Sequence, residues 1–242
     1  MTDSRWQLKP NSKVPITEIF ASIQGEGLYV GERQVFVRFA DCNLKCDYCD
    51  TQKGLRVRES SSLRAFEKIK SLKPGKIHSV SLTGGEPLLY VPFLKELIPQ
   101  IKKLGYKIYL ETNGTLPQEL DKIIKLVDYV AMDIKLPSSG NPAFWKEHQD
   151  FLTVLKKSRL KPGNYFVKII LISKTRVAEI KKAIEVMAKV SRHIPLILQP
   201  VTPIRQVRAM MSQSIFALQV LALERLSTVK VIPQTHKILG VR

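Results

Sequence analysis

Residues 41–51 read DCNLKCDYCDT and place Cys42, Cys46 and Cys49 in a CxxxCxxC arrangement. The chain has no other cysteine, and an odd, clustered set is a poor disulfide framework but a good set of metal ligands. Thiolates are the soft ligands that hold iron–sulfur clusters or zinc. Structural zinc sites normally use four protein ligands, and no histidine lies at the usual close spacing to a cysteine pair. The spacing therefore favours a 4Fe–4S cluster with one iron left open for S-adenosylmethionine (SAM). A zinc or redox site is the alternative.

Strand-like and helix-like segments alternate on both sides of this loop. Predicted strands cover 35–39, 79–82, 107–110, 129–134, 166–172, 194–198 and 229–232, and predicted helices cover 62–72, 93–104, 118–126, 142–157, 177–190 and 207–226. Strands separated by helices of ~10–15 residues indicate βαβ units and a parallel sheet. The strands are nearly all apolar, which is typical of a sheet covered on both faces. The pattern predicts an α/β fold, a partial (abbreviated) TIM-type (β/α) barrel of about six parallel strands with covering helices. Its chemistry would lie at the carboxyl ends of the strands.

The length of 242 residues suits one domain over residues 1–242. No segment approaches the ~20 apolar residues that a membrane helix needs, and residues 1–10 lack the apolar core of a signal peptide. We therefore expect a soluble, cytoplasmic protein with no membrane partner. The net charge of +18 raises the question of a nucleic-acid partner. The basic residues are scattered through helix-like segments, so solvated helix faces are favoured and direct nucleic-acid binding is not expected. A zinc-bound nucleic-acid module is the alternative.

A second motif, TGGEP at residues 83–87, follows the predicted strand 79–82. Its two glycines let the backbone approach a ligand closely. Glu86 can accept a hydrogen bond from the amino group of SAM, and Tyr48 can pack on its adenine. Alone, the motif is typical of an ordinary strand-to-helix turn. Downstream of a three-cysteine loop, it indicates a SAM site.

The two motifs together resemble the radical SAM superfamily. The opening segment 18–27 (EIFASIQGEG), Arg38, residues 49–51 (CDT) and the ending 236–240 (HKILG) narrow this to a resemblance to the 7-carboxy-7-deazaguanine synthases over essentially the whole chain. The resemblance implies conversion of 6-carboxy-5,6,7,8-tetrahydropterin to 7-carboxy-7-deazaguanine and ammonia, on the route to queuosine and archaeosine. It also implies a 4Fe–4S cluster, SAM, Mg²⁺, an electron donor of the flavodoxin or ferredoxin type and a homodimer. The alternative is another radical SAM enzyme, such as a glycyl-radical activase.

The resemblance also implies which residues contact the substrate. They are Ile23, Gln24, Gly25, Arg38 and Thr83, with residues 1–34 forming an N-terminal substrate-binding segment. Arg38 would pair with the substrate carboxylate, for which a guanidinium fork is well shaped. A surface ion pair is the alternative for Arg38.

The remaining implied contacts concern the metals and SAM. Cys42, Cys46 and Cys49 would hold the cluster, and Thr51 matches the magnesium ligand, although alone it would be read as a helix cap. SAM contacts are implied for Tyr48, Gly85, Glu86, Asn113, Asp133, Ile134, Lys135 and Gln199. Asp133 stands where many family members carry a serine, and residues 240–242 (GVR) replace the C-terminal proline of some members. No catalytic side chain is expected beyond the cofactor-derived radical.

Overall fold

A nine-stranded sheet forms the framework of the computed structural model, which describes residues 12–49, 56–203 and 206–241. The strands are β1 (Val14–Ile23), β2 (Arg33–Phe39), β3 (Arg58–Ser60), β4 (Ser79–Gly84), β5 (Ile108–Thr112), β6 (Tyr129–Asp133), β7 (Tyr165–Leu171), β8 (Leu196–Pro200) and β9 (Val229–Val231). They lie in the order β3-β1-β2-β4-β5-β6-β7-β8-β9. β2 and β4 to β9 are parallel, whereas β1 and β3 pair antiparallel. Among the described strands, β3 and β9 remain separate edges, so the parallel sheet is the open, partial barrel that the alternation predicts.

Helices cover one face of this sheet. They are α1 (Ser62–Ser71), α2 (Val91–Lys103), α3 (Pro117–Asp121), α4 (Trp145–Lys157), α5 (Val177–Val190) and α6 (Ser212–Leu223). A further short helix, α7 (Thr235–Leu239), is not part of this layer and lies beside Gly25. Short 3₁₀ turns lie at Gly27–Tyr29, Pro87–Tyr90, Ile124–Leu126 and Pro137–Ser139. None of the described helices is long and apolar enough to cross a lipid bilayer.

Helix α2 shows how the sequence produces this layer. Its buried side chains recur every three or four residues, at Val91, Phe93, Leu94, Leu97, Ile98 and Ile101. This spacing places them on one helix face. They join Val80 and Leu82 of β4 in the main core, where each buried aliphatic side chain contributes about 1.5–3 kcal/mol relative to exposure. The helix ends before Gly105, which takes the left-handed conformation at φ +81°.

Some predicted bounds differ from the observed ones. The segment 118–126 is a short α3 followed by a 3₁₀ turn. Helix α6 begins at Ser212 rather than 207, because residues before it pair with the chain after β7: the Ser173 N–H donates to the Arg208 carbonyl. Strands β1 and β3 were not among the predicted strands. β1 pairs with β2 in a register that sets Glu18 opposite Arg38.

The parallel strands are buried along most of their length, as predicted, but their apolar character is incomplete on the inner face, which is the face of the parallel sheet turned away from the helices. Successive strand residues point to opposite faces. The helix-facing set is apolar. The inner face carries the aromatic residues Tyr109, Tyr129 and Phe166 near the amino ends of the strands, and polar residues towards the carboxyl ends. The inner face can be polar because a loop and a cavity, rather than helices, lie against it.

Residues 24–32, the plug loop, fill the inner face of the open barrel. The Gln24 N–H donates to the Glu32 carbonyl and the Gly31 N–H donates to the Gln24 carbonyl, which closes the loop. Tyr29 packs its ring against an aromatic group comprising His78, Tyr109, Tyr129 and Phe166. A Cβ at Gly27, whose φ is +70°, would lie 2.4 Å from the Phe166 ring, so a glycine is needed there. These contacts hold the plug loop, including its first residues, against the inner face of the barrel.

Tyr29→Ala is expected to lower the free energy of unfolding by about 3 kcal/mol, because it leaves a cavity among the inner-face rings. Tyr29→Phe loses only the hydrogen bond from Tyr29 Oη to the Gly163 carbonyl, and should cost about 1 kcal/mol. Phe216→Ala removes a ring that is 68% exposed and serves as the control, with a cost below about 1 kcal/mol. Urea unfolding measures all three. Equal losses for Tyr29→Ala and Phe216→Ala would contradict the packing role of the plug loop.

Candidate active site

A cavity of about 240 Å³ lies at the carboxyl ends of the parallel strands. Its wall is formed by the cysteine loop (residues 40–49), the ends of β4 to β7, the start of the plug loop, and Gln234 and His236 near the end of the chain. Most of the predicted site residues line it: Ile23, Gln24, Gly25, Arg38, Cys42, Cys46, Tyr48, Cys49, Thr83, Gly85, Asn113, Asp133 and Lys135. A parallel barrel gathers its loops at this end.

The three cysteines face the cavity with hydrogen-bond donors directed at two of their sulfurs. Cys42 and Cys49 are exposed and Cys46 is half-buried. Asn141 Nδ2 lies 3.1 Å from Cys46 Sγ, and the Leu44 N–H lies 3.4 Å from Cys42 Sγ. Such donors stabilise thiolates, the form that binds iron. Within the described ranges, no three His, Cys, Asp or Glu side chains converge on the position of one metal ion. A 4Fe–4S cluster offers each thiolate its own iron, so its ligands need not converge, and the donor set fits that cluster.

Gly85 brings the end of β4 against the cysteine loop. Its N–H donates to the Phe39 carbonyl at 2.8 Å, and the Glu86 N–H donates to the Asp41 carbonyl at 2.7 Å. A Cβ at Gly85 would lie 1.8 Å from the Asp41 oxygen. A main-chain atom cannot give way as a flexible side chain does. The second glycine of the motif is therefore needed for the approach of two backbone segments, as well as for any contact with SAM.

Glu86 is fully buried, and its carboxylate joins the ends of two strands. It accepts hydrogen bonds from the Leu88 N–H, the Asn113 N–H and Thr112 Oγ1, at 3.0, 2.7 and 2.9 Å. Burial raises the pKa of Glu86 to about 7, although these donors act in the opposite direction. The side chain is enclosed beside the cavity rather than open to it. A direct contact with SAM stays a prediction.

A largely buried chain of alternating charges forms part of the cavity wall. Lys168 Nζ pairs with Glu26 Oε2 and lies 3.4 Å from Asp133 Oδ1, while Lys135 Nζ lies 2.7 Å from Asp133 Oδ2. Burial alone would raise the pKa of Glu26, but the Lys168 ammonium and the Gln234 amide lower it to about 2. Burial alone would lower the pKa of Lys168, but Asp133 and Glu26 raise it. Glu26 and Lys168 thus face each other as ions.

Sequence reasoning gave no role to Lys168 or Glu26. The available signal for Lys168 was a lysine inside the apolar run Tyr165–Leu171. A charged residue in a buried strand needs a partner. Glu26 belongs to the quoted QGEG segment, but the pairing of the two residues is not visible in either local pattern.

Glu111 is the centre of a hydrogen-bond group on the substrate side. Gln24 Nε2 donates to Glu111 Oε1 at 2.9 Å, and Thr83 Oγ1 donates to Glu111 Oε2 at 2.9 Å. Ser81 Oγ also donates to Glu111 Oε1, at 3.1 Å. The side chains of Gln24 and Thr83 therefore line the cavity with polar atoms already engaged. Glu111, for which no role was predicted, holds both of them in place.

Arg38 forms an ion pair, which was the alternative to a substrate contact, and it also lines the cavity. Its guanidinium lies 3.2 Å from Glu18 Oε1 and stacks 5.4 Å from the centroid of the Phe20 ring. A guanidinium has five N–H donors, so one carboxylate partner leaves others for a ligand. The ion pair and a substrate contact are therefore compatible.

Gly25 is covered by the C-terminal part of the chain. The Thr235 N–H donates to the Gly25 carbonyl at 2.9 Å, and a Cβ at Gly25 would lie 2.2 Å from His236 Nδ1. This close approach accounts for the glycine. It also brings His236, which was noted only as part of the ending motif, to the cavity.

Ile134 and Gln199, two further predicted site residues, do not line the cavity. The Ile134 side chain packs in the main core, so a contact with SAM would have to come from its main chain. Gln199 is fully buried, and neither polar atom of its amide makes a hydrogen bond of normal geometry with the described residues. Its amide lies near Glu26 and helps to lower the pKa of that carboxyl, so a contact of Gln199 with SAM stays a prediction. Thr51 and the neighbouring Asp50 lie outside the described residues, as does Arg242.

Comparisons with known proteins agree with this geometry. The model of the Radical SAM superfamily matches residues 37–187. A 7-carboxy-7-deazaguanine synthase from Geobacter sulfurreducens is 39% identical, and the match covers 96% of this chain and 98% of that relative. The chain belongs to the 7-carboxy-7-deazaguanine synthase family. A second synthase of this family, from Methanothermobacter thermautotrophicus, is 36% identical over 95% of this chain and 98% of its own length.

The fold of this family member also matches a solved structure. The crystal structure of QueE from Escherichia coli superposes with a TM-score of 0.64 and 20% identity, covering 93% of this chain and 95% of that one. At this identity the likeness shows a shared fold. Family membership makes the chain a radical SAM lyase, with a 4Fe–4S cluster and SAM as its cofactors.

We expect Glu26→Gln to lower the free energy of unfolding of this synthase family member by about 3 kcal/mol at pH 7, because the Lys168 ammonium loses a carboxylate partner. The pKa of Glu26 is about 2 in the fold and 4.5 ordinarily. A carboxylate with a lowered pKa contributes stability above pH 4.5 and loses it as the pH falls towards 2. The difference between wild type and variant should therefore shrink over that interval. Urea unfolding of the apoprotein at several pH values measures it.

Glu67→Gln is the matched control for this pH series. Glu67 pairs with Lys70 on an exposed helix face, and its removal should change stability by less than about 1 kcal/mol at every pH. A Glu26→Gln deficit that stays constant from pH 7 down to the acid limit would show that the carboxylate is not held as an ion.

Gly85→Ala should lower both the stability and the iron content of the reconstituted protein. Its methyl group would meet the Asp41 carbonyl oxygen, and we expect a cost above about 2 kcal/mol. Gly75→Ala is the control: its Cβ meets nothing within 4 Å, and its φ of +62° alone should cost about 1 kcal/mol. Urea unfolding and iron analysis give the two readouts. The interpretation fails if Gly75→Ala proves as costly as Gly85→Ala.

Proposed function

We propose that this chain converts 6-carboxy-5,6,7,8-tetrahydropterin to 7-carboxy-7-deazaguanine and ammonia, as a step in queuosine or archaeosine biosynthesis. The observation that supports this most directly is the single strand-end cavity shared by the cysteine loop, the GGEP turn and the start of the plug loop. Synthases of this name match nearly the whole chain. They favour this ring contraction over another radical SAM reaction, such as glycyl-radical activation.

Cys42, Cys46 and Cys49 would hold the 4Fe–4S cluster through their thiolates, leaving one iron for SAM. When bound, the cluster and SAM supply the 5′-deoxyadenosyl radical that starts the reaction. The chain itself contributes binding and orientation. The exposure of Cys42 and Cys49 suits access by a one-electron donor of the flavodoxin or ferredoxin type.

The SAM side of the cavity would comprise Tyr48, Gly85, Glu86, Asn113, Asp133, Ile134, Lys135 and Gln199. Lys135 suits the methionine carboxylate of SAM. Burial alone would lower the pKa of Lys135, but Asp133 raises it well above the ordinary value, so the ammonium stays charged. Asp133 can in turn accept hydrogen bonds from ribose hydroxyls. The Lys135 ammonium lies 5.5 Å from the Tyr48 ring centroid, which keeps that ring beside the proposed SAM position.

The substrate side would comprise Ile23, Gln24, Gly25, Arg38 and Thr83. The Arg38 guanidinium would bind the substrate carboxylate, with Mg²⁺ beside it on Thr51. The aminopyrimidine edge of a pterin carries N–H donors, and an ionised carboxylate is a strong acceptor for them. Glu26 lines the cavity, and its pKa of about 2 keeps it ionised at neutral pH. It therefore joins the proposed substrate contacts.

Residues 1–242 would act as one domain, with residues 1–34 as the substrate-binding segment, and the enzyme would work as a homodimer. Three clustered thiols require a reducing compartment, which supports a cytoplasmic location.

The test is a product assay after anaerobic reconstitution, with carboxypterin, SAM and dithionite, in the presence and absence of Mg²⁺. Wild type should form the deazaguanine product, with more product when Mg²⁺ is present. Arg38→Gln should lower kcat/KM about 10- to 100-fold, mainly through KM, because it removes a charged contact to the substrate carboxylate. Arg64→Gln, on the exposed side of α1, should change neither constant.

Cleavage of SAM in the absence of pterin distinguishes a loss of substrate binding from a loss of the radical chemistry. It should be the same in wild type and Arg38→Gln, because Arg38 is assigned to the substrate and not to SAM. Wild-type protein that holds a cluster and cleaves SAM, yet makes no deazaguanine, would refute the ring contraction and favour another radical SAM reaction.

A further inference from the structure

Asn141 lies in the connection between β6 and α4 and reaches back to the cysteine loop. The connection turns through the 3₁₀ turn Pro137–Ser139 and Gly140, which has a φ of +89°. This φ favours a glycine, and a Cβ at Gly140 would lie 2.7 Å from Asp47 Oδ1, so the turn brings the chain against the cysteine loop. The Asp47 N–H donates to the Ser139 carbonyl at 2.9 Å. These contacts between the cysteine loop and the connection after β6 hold Asn141 beside the cysteines.

Three hydrogen bonds fix the Asn141 amide. Its Oδ1 accepts the Lys45 N–H at 3.1 Å, and its Nδ2 donates to Ser139 Oγ at 3.1 Å and to Cys46 Sγ at 3.1 Å. A main-chain N–H can only donate, so Lys45 identifies which end of the amide is the oxygen. The other end must present N–H groups to the sulfur. The side chain is 9% exposed, so water competes little for these bonds.

The apolar surroundings of Cys46 strengthen the hydrogen bond that it accepts from Asn141. Cys46 packs against a small apolar cluster formed by Tyr48, Ile170, Ile172 and Val201. Hydrogen bonds are electrostatically stronger where the local dielectric is low. Cys42 is exposed, and its N–H donors, Leu44 and Asn113, lie at 3.4 and 3.7 Å. Among the described residues, Asn141 makes the shortest N–H contact to a cysteine sulfur.

A donor on a ligand sulfur favours the reduced cluster. Reduction adds one electron, supplied by an external one-electron donor, and no proton, so the cluster and its sulfurs become more negative. Hydrogen bonds to these sulfurs stabilise the added charge and raise the reduction potential. We propose that Asn141 is a positioning residue that raises the reduction potential of the cluster through its amide contact with Cys46. This inference rests on the proposed function, which assigns Cys46 as a cluster ligand.

The test is an EPR-monitored redox titration of the reconstituted holoenzyme, with and without SAM. Asn141→Asp keeps an acceptor for the Lys45 N–H but replaces the donor to Cys46 with a negative charge. We expect it to make reduction about tenfold less favourable, which is about 59 mV for a one-electron couple. Asn141→Ala removes the donor without adding charge, and should shift the potential in the same direction by less.

Asn164→Asp and Asn164→Ala are the matched controls. Asn164 is exposed and precedes β7, at the end of the parallel sheet opposite the cysteine loop, so the same chemical changes there should leave the potential unaltered. The melting temperature of each apoprotein and the iron content of each holoprotein are measured in parallel. A residue that only supports the loop would lower the melting temperature without moving the potential of the cluster-bearing molecules.

Unchanged potentials in cluster-bearing Asn141 variants would overturn the inference and leave the proposed function intact. So would loss of the cluster from both variants while the controls retain it, because Asn141 would then build the loop rather than adjust the potential. A wild-type chain that takes up no 4Fe–4S cluster would overturn the proposed function and the inference together.

Discussion

The ammonium of Lys168, held between Glu26 and Asp133, is the contact on which the site depends most. It joins the plug loop to the wall of a barrel that is otherwise open. An isolated buried cation costs several kcal/mol, and two carboxylates at hydrogen-bond or ion-pair distance offset that cost. Aromatic packing around Tyr29 holds the far end of the plug loop, Glu111 holds the Gln24 side chain, and the ion pair fixes Glu26. The position of the Glu26 carboxylate in the cavity wall therefore depends on one buried cation.

The same network connects the two halves of the cavity. From Glu26 the charges alternate through Lys168 and Asp133 to Lys135, whose ammonium reaches the Tyr48 ring beside the cysteines. Each ion is stabilised by its neighbours rather than by water. Direct ion pairs therefore connect the proposed substrate side of the cavity with the proposed SAM side. The carboxylate of Glu86, by contrast, is held by uncharged donors, and burial raises its pKa to about 7.

The sequence predicted the parallel sheet and the positions of the strand-end motifs because both are local patterns. Cysteine spacing, glycine pairs and alternating segments need only a short window to be recognised. The inner-face network was not predicted, because Lys168 and Glu26 are 142 positions apart and only the fold brings them together. The same applies to Glu111, whose partner Gln24 is 87 positions away. Strand β1 was not predicted, because it ends directly before the glycines of residues 24–27 (QGEG), which are typical of turns.

The cysteine motif defines where a cluster is held, but not what each sulfur experiences. Cys42 and Cys46 are four positions apart, yet one is exposed and the other packs against apolar side chains with an amide donor at 3.1 Å. The residue responsible for this difference, Asn141, is 95 positions from Cys46 and belongs to neither motif. Motif recognition can therefore identify a cofactor without describing its electronic setting. That setting is decided by the connection after β6, where the turn at Gly140 brings two loops close enough for one amide to reach one sulfur.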